Sequence, residues 1–186
     1  MIPNRGVLLA TGFEEPGGTG ALLGAAIKSL QEAPWPLSGE LFHVTPSGAE
    51  PYTPTGADAD HLATAQKIDR ASIYGAQRDA LNKLHETTKT DRFVASYKLT
   101  APQSNPTVAS SWCTWTEGVD SLLPITDRVI FMRDPTGTKQ LLQVPWTEVE
   151  RIVGHYFQST TEDPPRVRVN QFPTPAEWDE LGRHKL

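Results

Sequence analysis

The residues whose types and spacing could do chemistry begin with Thr11-Gly12-Phe13-Glu14-Glu15-Pro16-Gly17-Gly18-Thr19-Gly20, between an apolar run and a helical stretch. Backbone amides at a helix N-terminus attract anions, and glycines let a phosphate or carboxylate come close. Thr11, Gly17, Gly18, Thr19 and Gly20 are therefore the first candidate ligand-binding residues. The spacing departs from known phosphate loops: Gly18-x-Gly20-x-x-x-Gly24 is not the dinucleotide pattern, no Gly-Lys-Ser/Thr follows, and Glu14 and Glu15 repel an anion. The bland alternative is a connecting loop, since glycines are common punctuation.

Two titratable residues extend this candidate site as acid–base groups, Asp69 and His43. Asp69 falls on the apolar stripe of a long helical segment, where a carboxylate must pair, protonate or line a cavity. A bend near Arg70 to Gly75 that turns Asp69 to solvent is the competing reading. The opening from Val7 to Gly24 also resembles, over less than a tenth of the chain, the strand, Thr-Gly-Phe, Gly-loop and helix start of the D-glutamate cyclase family. Downstream that likeness has no continuation, and nothing is carried over from it.

Cys113 sits in Ser111-Trp112-Cys113-Thr114-Trp115, read as a strand that places it opposite the two tryptophans. A nucleophilic cysteine needs a base and a polar, partly open setting, and no spacing selects one of His43, His61, His85 or His155 for the task. A small core hydrophobe is the simpler role. Asp58-Ala-Asp60-His61 offers metal-ligating atoms, yet its acids are already explained as charges at the start of a helix. No Gly-x-Ser-x-Gly elbow, His-Glu-x-x-His helix or paired-carboxylate signature occurs. The expectation is no catalytic set, no metal and no cofactor.

Trp112, Trp115, Tyr97 and Trp146 are candidate interface residues, because alternating strand positions cannot all point inward and Trp and Tyr anchor protein contacts. Filling the seam between helix and sheet is the competing use of the same side chains. The loops 46–57, 100–109 and 158–165, polar and Pro-rich, resemble binding loops on a rigid sheet.

These residues must be positioned by an α+β fold. Gly6 to Ala10 reads as a buried strand, and Gly20 to Ala33 as a helix with Leu23, Ala26, Ile27 and Leu30 on one face, Thr19 as its cap and Pro34 as its stop. Leu41 to Thr45 reads as a strand, followed by a loop from Pro46 to Ala57. From Asp58 to Thr87 the period is helical, with Leu62, Ala65, Ile73, Ala76, Ala80 and Leu84 in one stripe and Gly75 as a possible kink. The second half alternates: Arg92 to Leu99, Ser110 to Thr116, Arg128 to Arg133, Lys139 to Val144 and Arg166 to Phe172 read as strands. Asp134-Pro135-Thr136-Gly137 matches a type I turn closing a hairpin. Thr147 to Glu150, closed by Gly154, and Thr174 to Glu177, with Gly182 after its last turn, read as capping boxes of short helices. The expected architecture is one domain over residues 1–186. It has an N-terminal strand–helix–strand plus long helix (1–90) and an antiparallel sheet (91–186). Its mixed or mainly antiparallel sheet of about five to seven strands is packed by the long helix.

Composition narrows the classes. The 186 residues carry 17 Lys+Arg against 22 Asp+Glu, a net charge of −5, which argues against a phosphate-backbone binder and hence against nucleic acid. The longest apolar run, Ala21 to Ile27, is far short of a membrane span, so no membrane is expected. A single cysteine excludes an internal disulfide; with no leader-like N-terminus, it points to the cytoplasm or to the interior of a virion or other assembled particle. The first functional expectation is a non-catalytic protein–protein interaction or structural module: an adaptor, an immunity-type inhibitor or a subunit of a larger bacterial or viral assembly. Its partner would be another protein or further copies of itself. The alternative is a small enzyme or ligand-binding domain with its site at the Gly-rich loop 11–20.

Overall fold

Helical periodicity in the sequence becomes two helices. The computed structural model describes residues 1–32, 36–102, 108–134 and 137–186; Ala33, Pro34 and Trp35, the 103–107 part of one Pro-rich loop, and Pro135 and Thr136 lie outside the described residues. Helix α1 (Gly18–Glu32) buries Leu22, Leu23, Ala26, Ile27 and Leu30 at three- and four-residue spacing. It starts ahead of Thr19, which therefore sits in its first turn instead of capping it. β1 (Phe42–Thr45) and β2 (Gly48–Pro51) pair antiparallel across the loop residues Pro46 and Ser47, so the expected loop 46–57 contains a strand. α2 (Ala57–Thr88) opens with Asp58 and Asp60 in its first turn and runs through Gly75 without a break.

The chain divides into two compact units, Met1–Ser72 with Leu99–Ser110, and Ile73–Lys98 with Ser111–Leu186. α2 gives its first half to one and its second half to the other. The first unit has its own core, in which Leu23, Ala26, Ile27 and Leu30 of α1 pack with Leu41, Leu62 and Ala65. Within it, the Thr64 hydroxyl accepts from the Ala109 amide at 2.9 Å, and Lys67 Nζ donates to the Ala109 carbonyl at 3.0 Å.

The remaining strands are β3 (Phe93–Val94), β4 (Lys98–Thr100), β5 (Ser110–Thr116), β6 (Ser121–Pro124), β7 (Arg128–Arg133), β8 (Gln140–Pro145), β9 (Gln158–Ser159) and β10 (Arg166–Val169); Leu99, Thr100 and Ser110 fall in the first unit and the rest in the second unit. They form two four-stranded sheets, ordered β3-β6-β10-β9 and β4-β5-β7-β8, with β3–β6 and β5–β7 parallel and the β6–β10, β10–β9 and β7–β8 pairs antiparallel. α3 (Trp146–Val153), a 3-10 turn over Gly154–Tyr156, and α4 (Pro175–Arg183) complete it. The class is α+β as expected, with the strands shared among three sheets. Its core gathers Cys113, Trp115, Val129, Phe131, Val144, Val149 and Leu181.

Several local expectations change. Gly6 to Ala10 is no strand: Asn4 Oδ1 accepts from the Gly6 amide at 2.8 Å, the Val7 amide returns to Asn4 O at 3.3 Å, and Leu8 is 72% exposed. On α2, Leu62 and Ala65 are buried, but Ile73 and Leu84 are 46% and 53% exposed, because the helix turns Tyr74 inward in place of the small Ala76 and Ala80. The strand expected over Arg92 to Leu99 breaks into β3 and β4, which join different sheets. Trp146, not Thr147, begins α3; its amide donates to the Asp127 carbonyl at 2.8 Å, and no side chain caps the helix. At α4 the capping box forms as expected, although Gly182 lies inside the last turn. β7 and β8 pair from Arg133 with Gln140, and Gly137 takes a φ of 77°; the type I turn expected between them falls on Pro135 and Thr136, outside the described residues. Among the described residues, no helix is long and apolar enough to cross a membrane.

Candidate functional site

In the first unit the Gly-rich loop folds back on itself before entering α1. The Glu15 amide donates to Gly12 O at 3.2 Å, the Gly18 amide to Glu15 O at 3.0 Å and the Ala21 amide to Gly17 O at 3.0 Å. Gly17 takes a φ of 73° with open space beside it, whereas Gly18 and Gly20 serve close packing. A Cβ on Gly18 would collide with Thr11 Oγ1, and one on Gly20 would come 2.9 Å from Asp58 Oδ1 at the start of α2. The anion-cradle expectation thus meets a mundane use for the same residues, and a carboxylate beside Gly20 opposes a bound anion.

Beside this loop lies a pocket of about 310 Å³. Consecutive residues Leu8 to Thr11 form one wall and the consecutive β1 residues Phe42, His43 and Val44, with Leu41, form another; Phe13, Thr19 and Tyr52 also line it. Phe13 stacks on His43 with ring centroids 4.2 Å apart and meets Tyr52 edge-on at 5.5 Å. Leu41 and Leu22 close its base and are buried, whereas Leu8, Phe13, Phe42 and Val44 stand at its mouth, between 43% and 75% exposed.

The structure brings Thr11, Thr19 and His43 to this one pocket. Gly17, Gly18 and Gly20 are adjacent in sequence and do not line it. Asp69 does not either: its Oδ2 accepts from the Gly39 amide at 3.0 Å, so the half-buried carboxylate is satisfied by backbone and remains on the helix without the bend that solvation would need. Sequence reasoning missed Phe13, Phe42, Val44 and Tyr52. A phenylalanine inside an otherwise polar glycine loop, and apolar Phe42 and Val44 alternating with polar His43 and Thr45, were the available signals.

The expected aromatic interface dissolves in part. Trp115 is fully buried among Phe131, Phe157 and Phe172, its indole N–H donating to Gln171 O at 3.2 Å, and Trp146 is buried against Phe157. Both therefore belong to the core and cannot face a partner. Trp112 is half-buried on the other face of β5, and Tyr97, also half-buried, stacks on Tyr74 at 5.1 Å. Strand alternation places Cys113 and Trp115 on one face, correcting the expectation that Cys113 opposes both tryptophans. Burial pushes the Cys113 thiol up to about 12, against the hydrogen bond from Thr126 and the charge of Arg166. A protonated thiol sealed in the core is no nucleophile.

Among the described residues no three of His, Cys, Asp and Glu gather as a metal site. His61 Nδ1 lies 3.9 Å from Asp58 Oδ1, while Asp60 points outward. Comparison of the chain with known protein families, with curated proteins and with solved structures finds no match.

Proposed function

We propose that this chain is a non-catalytic protein-interaction module whose contact site is the pocket between the Gly-rich loop and β1. The observation that carries this reading is the gathering of Leu8, Phe13, Phe42 and Val44, all exposed, around a concavity with a buried apolar base. Scattered exposed apolar residues need no explanation, but a cluster rimming a pocket fits an anchor side chain from a partner. Its polar groups, the His43 ring and the Thr11 and Thr19 hydroxyls, suit orientation of an apolar guest. The partner is another protein, in an adaptor, an inhibitor or an assembled particle. A reducing compartment such as the cytoplasm, or the interior of such a particle, suits the lone buried thiol.

The test is mass analysis of the protein purified from its source beside its Phe13→Ser and Val44→Asp variants. A stoichiometric companion retained by the wild type and lost by both folded variants supports the reading; equal recovery with all three overturns it.

A second reading, a small-ligand domain, rests on the aromatic wall of Phe13, His43 and Tyr52, which matches a flat apolar molecule. A rise in melting temperature with such a molecule, absent in Phe13→Ser, would favour it, since a ligand of the folded state alone must stabilise that state.

A further inference from the structure

We infer that the occupant of this site is an extended, basic segment of a protein partner that adds as a third strand to the open edge of β1, a conclusion that rests on the interaction reading above. The Tyr52 amide donates to Leu41 O at 2.9 Å, which makes Leu41 and Tyr52 a hydrogen-bonded pair of the hairpin. Pairs alternate along an antiparallel ladder. His43 with Glu50 and Thr45 with Gly48 are therefore bonded pairs, while Phe42 with Pro51 and Val44 with Ala49 are not. Pro51, which has no N–H, sits where none is needed. The N–H and C=O groups of Phe42 and Val44 consequently point away from β2, along the edge that borders the pocket. Among the described residues, none bonds to them, and the sheet ends there at two strands.

An open strand edge is a template for another chain, and natural proteins cover, twist or charge it. This edge is bordered by apolar residues, which invites an apolar side chain of an added strand into the pocket while main-chain bonds form along β1. The charge around it selects the guest. The first unit has four Lys and Arg against eight Asp and Glu, so it carries −4 of the chain's −5. Glu14 and Glu15 follow Phe13, Glu40 precedes Leu41, and Glu50 stands opposite His43. A strand alternating Lys or Arg with apolar residues complements both features.

The probe is a short synthetic peptide alternating Lys with Val. Its comparators are a Glu-for-Lys version and a version N-methylated at alternate amides so that the ladder cannot form. Binding is followed through the amide NMR signals of the labelled protein. The expected result is that the Lys peptide binds at least about tenfold more tightly than the Glu peptide, loses affinity with added salt, and shifts the Phe42 and Val44 amides. N-methylation should cost about tenfold, the equivalent of one or two hydrogen bonds. Equal binding of Lys and Glu peptides, indifference to N-methylation, shifts confined to other residues, or self-association through this edge without peptide would each overturn the strand-addition proposal. The interaction reading itself stands or falls separately, on the loss of the companion in Phe13→Ser.

Discussion

The guanidinium of Arg166 lies 5.1 Å above the ring of Tyr74 and donates to the carbonyl of the same residue at 3.4 Å. Its other N–H groups reach Gln77 Oε1 at 2.6 Å, Ala95 O at 2.8 Å and Leu122 O at 3.1 Å, so one side chain, 1% exposed, ties α2 to the bend after β3 and to β6. Burial holds its pKa down at about 10. Neutral acceptors, not a bonded carboxylate, satisfy this charge. Arg166→Met would take a donor from four acceptors, of which Leu122 O keeps the Ala95 amide at 3.0 Å, and is expected to destabilise by about 2–4 kcal/mol in urea titration. Arg166→Lys should recover only part of this, because an ammonium cannot reproduce the planar fork. A loss under about 0.5 kcal/mol for Met would show that the clamp is dispensable.

Asp120 sets an acid limit on the same unit. Hydrogen bonds from Arg168, at 3.0 and 2.8 Å, are the main reason its carboxyl lies below the ordinary carboxylate range; burial opposes the shift, and Arg92 at 3.3 Å adds to it. A folded-state pKa below the unfolded one means stability that is fully present above the unfolded value of about 3.9 and lost as pH falls through the lower folded value. Asp120→Asn should therefore cost up to about 1 kcal/mol at neutral pH, since all three side chains are partly exposed. The gap from wild type should narrow as the pH drops below 4. A gap equal at pH 7 and pH 3 would mean that the carboxylate charge is not the agent.

Features set by neighbours along the chain were legible in the sequence. α1 and α2 follow from helical spacing, β5 and β7 from alternation, and α4 from a box in which Thr174 and Glu177 cap each other. Features set from a distance were not. The division between β3 and β4 falls beside Ala95, whose carbonyl is held by Arg166 from 71 residues away. β6 consists of four buried residues with no alternation to announce it. The pocket was half legible: Thr11, Thr19 and His43 were candidates by type, but Phe13 meets His43 from the far side of α1 in sequence, a tertiary contact that no local pattern announces. The glycines of the loop were conspicuous, yet the reason for Gly20, close approach to Asp58 at the start of α2, is tertiary.

Cys113 offers a check on the second core. With its thiol pushed up to about 12 by burial, almost none is thiolate at pH 8, and the group is sealed from solvent. A thiol reagent at that pH should label the native protein at least about a hundredfold more slowly than the protein in urea, through transient opening of the core. Rapid labelling without denaturant would place Cys113 at the surface and reopen the case for a reactive thiol.

Asp69 and Gly39 separate support of the site from participation in it. The carboxylate accepts from the Gly39 amide, and the backbone there runs so close to α2 that a Cβ on Gly39 would fall 2.7 Å from Ala65 O and 2.8 Å from Gln66 Cα. Backbone atoms cannot swing aside as a side-chain tip can, so Gly39→Ala must displace one segment from the other. It is expected to destabilise by about 1–3 kcal/mol, as overpacking does. Asp69→Ala should cost about 1–2 kcal/mol by leaving the amide without its acceptor, and Asp69→Asn, which keeps a carbonyl oxygen, less. Because Asp69 does not line the pocket and is one of eight acids in its unit, folded Asp69→Asn should bind the Lys–Val peptide within about twofold of wild type, whereas Phe13→Ser should lose it. Weakened binding by Asp69→Asn at undiminished stability would move this carboxylate into the site.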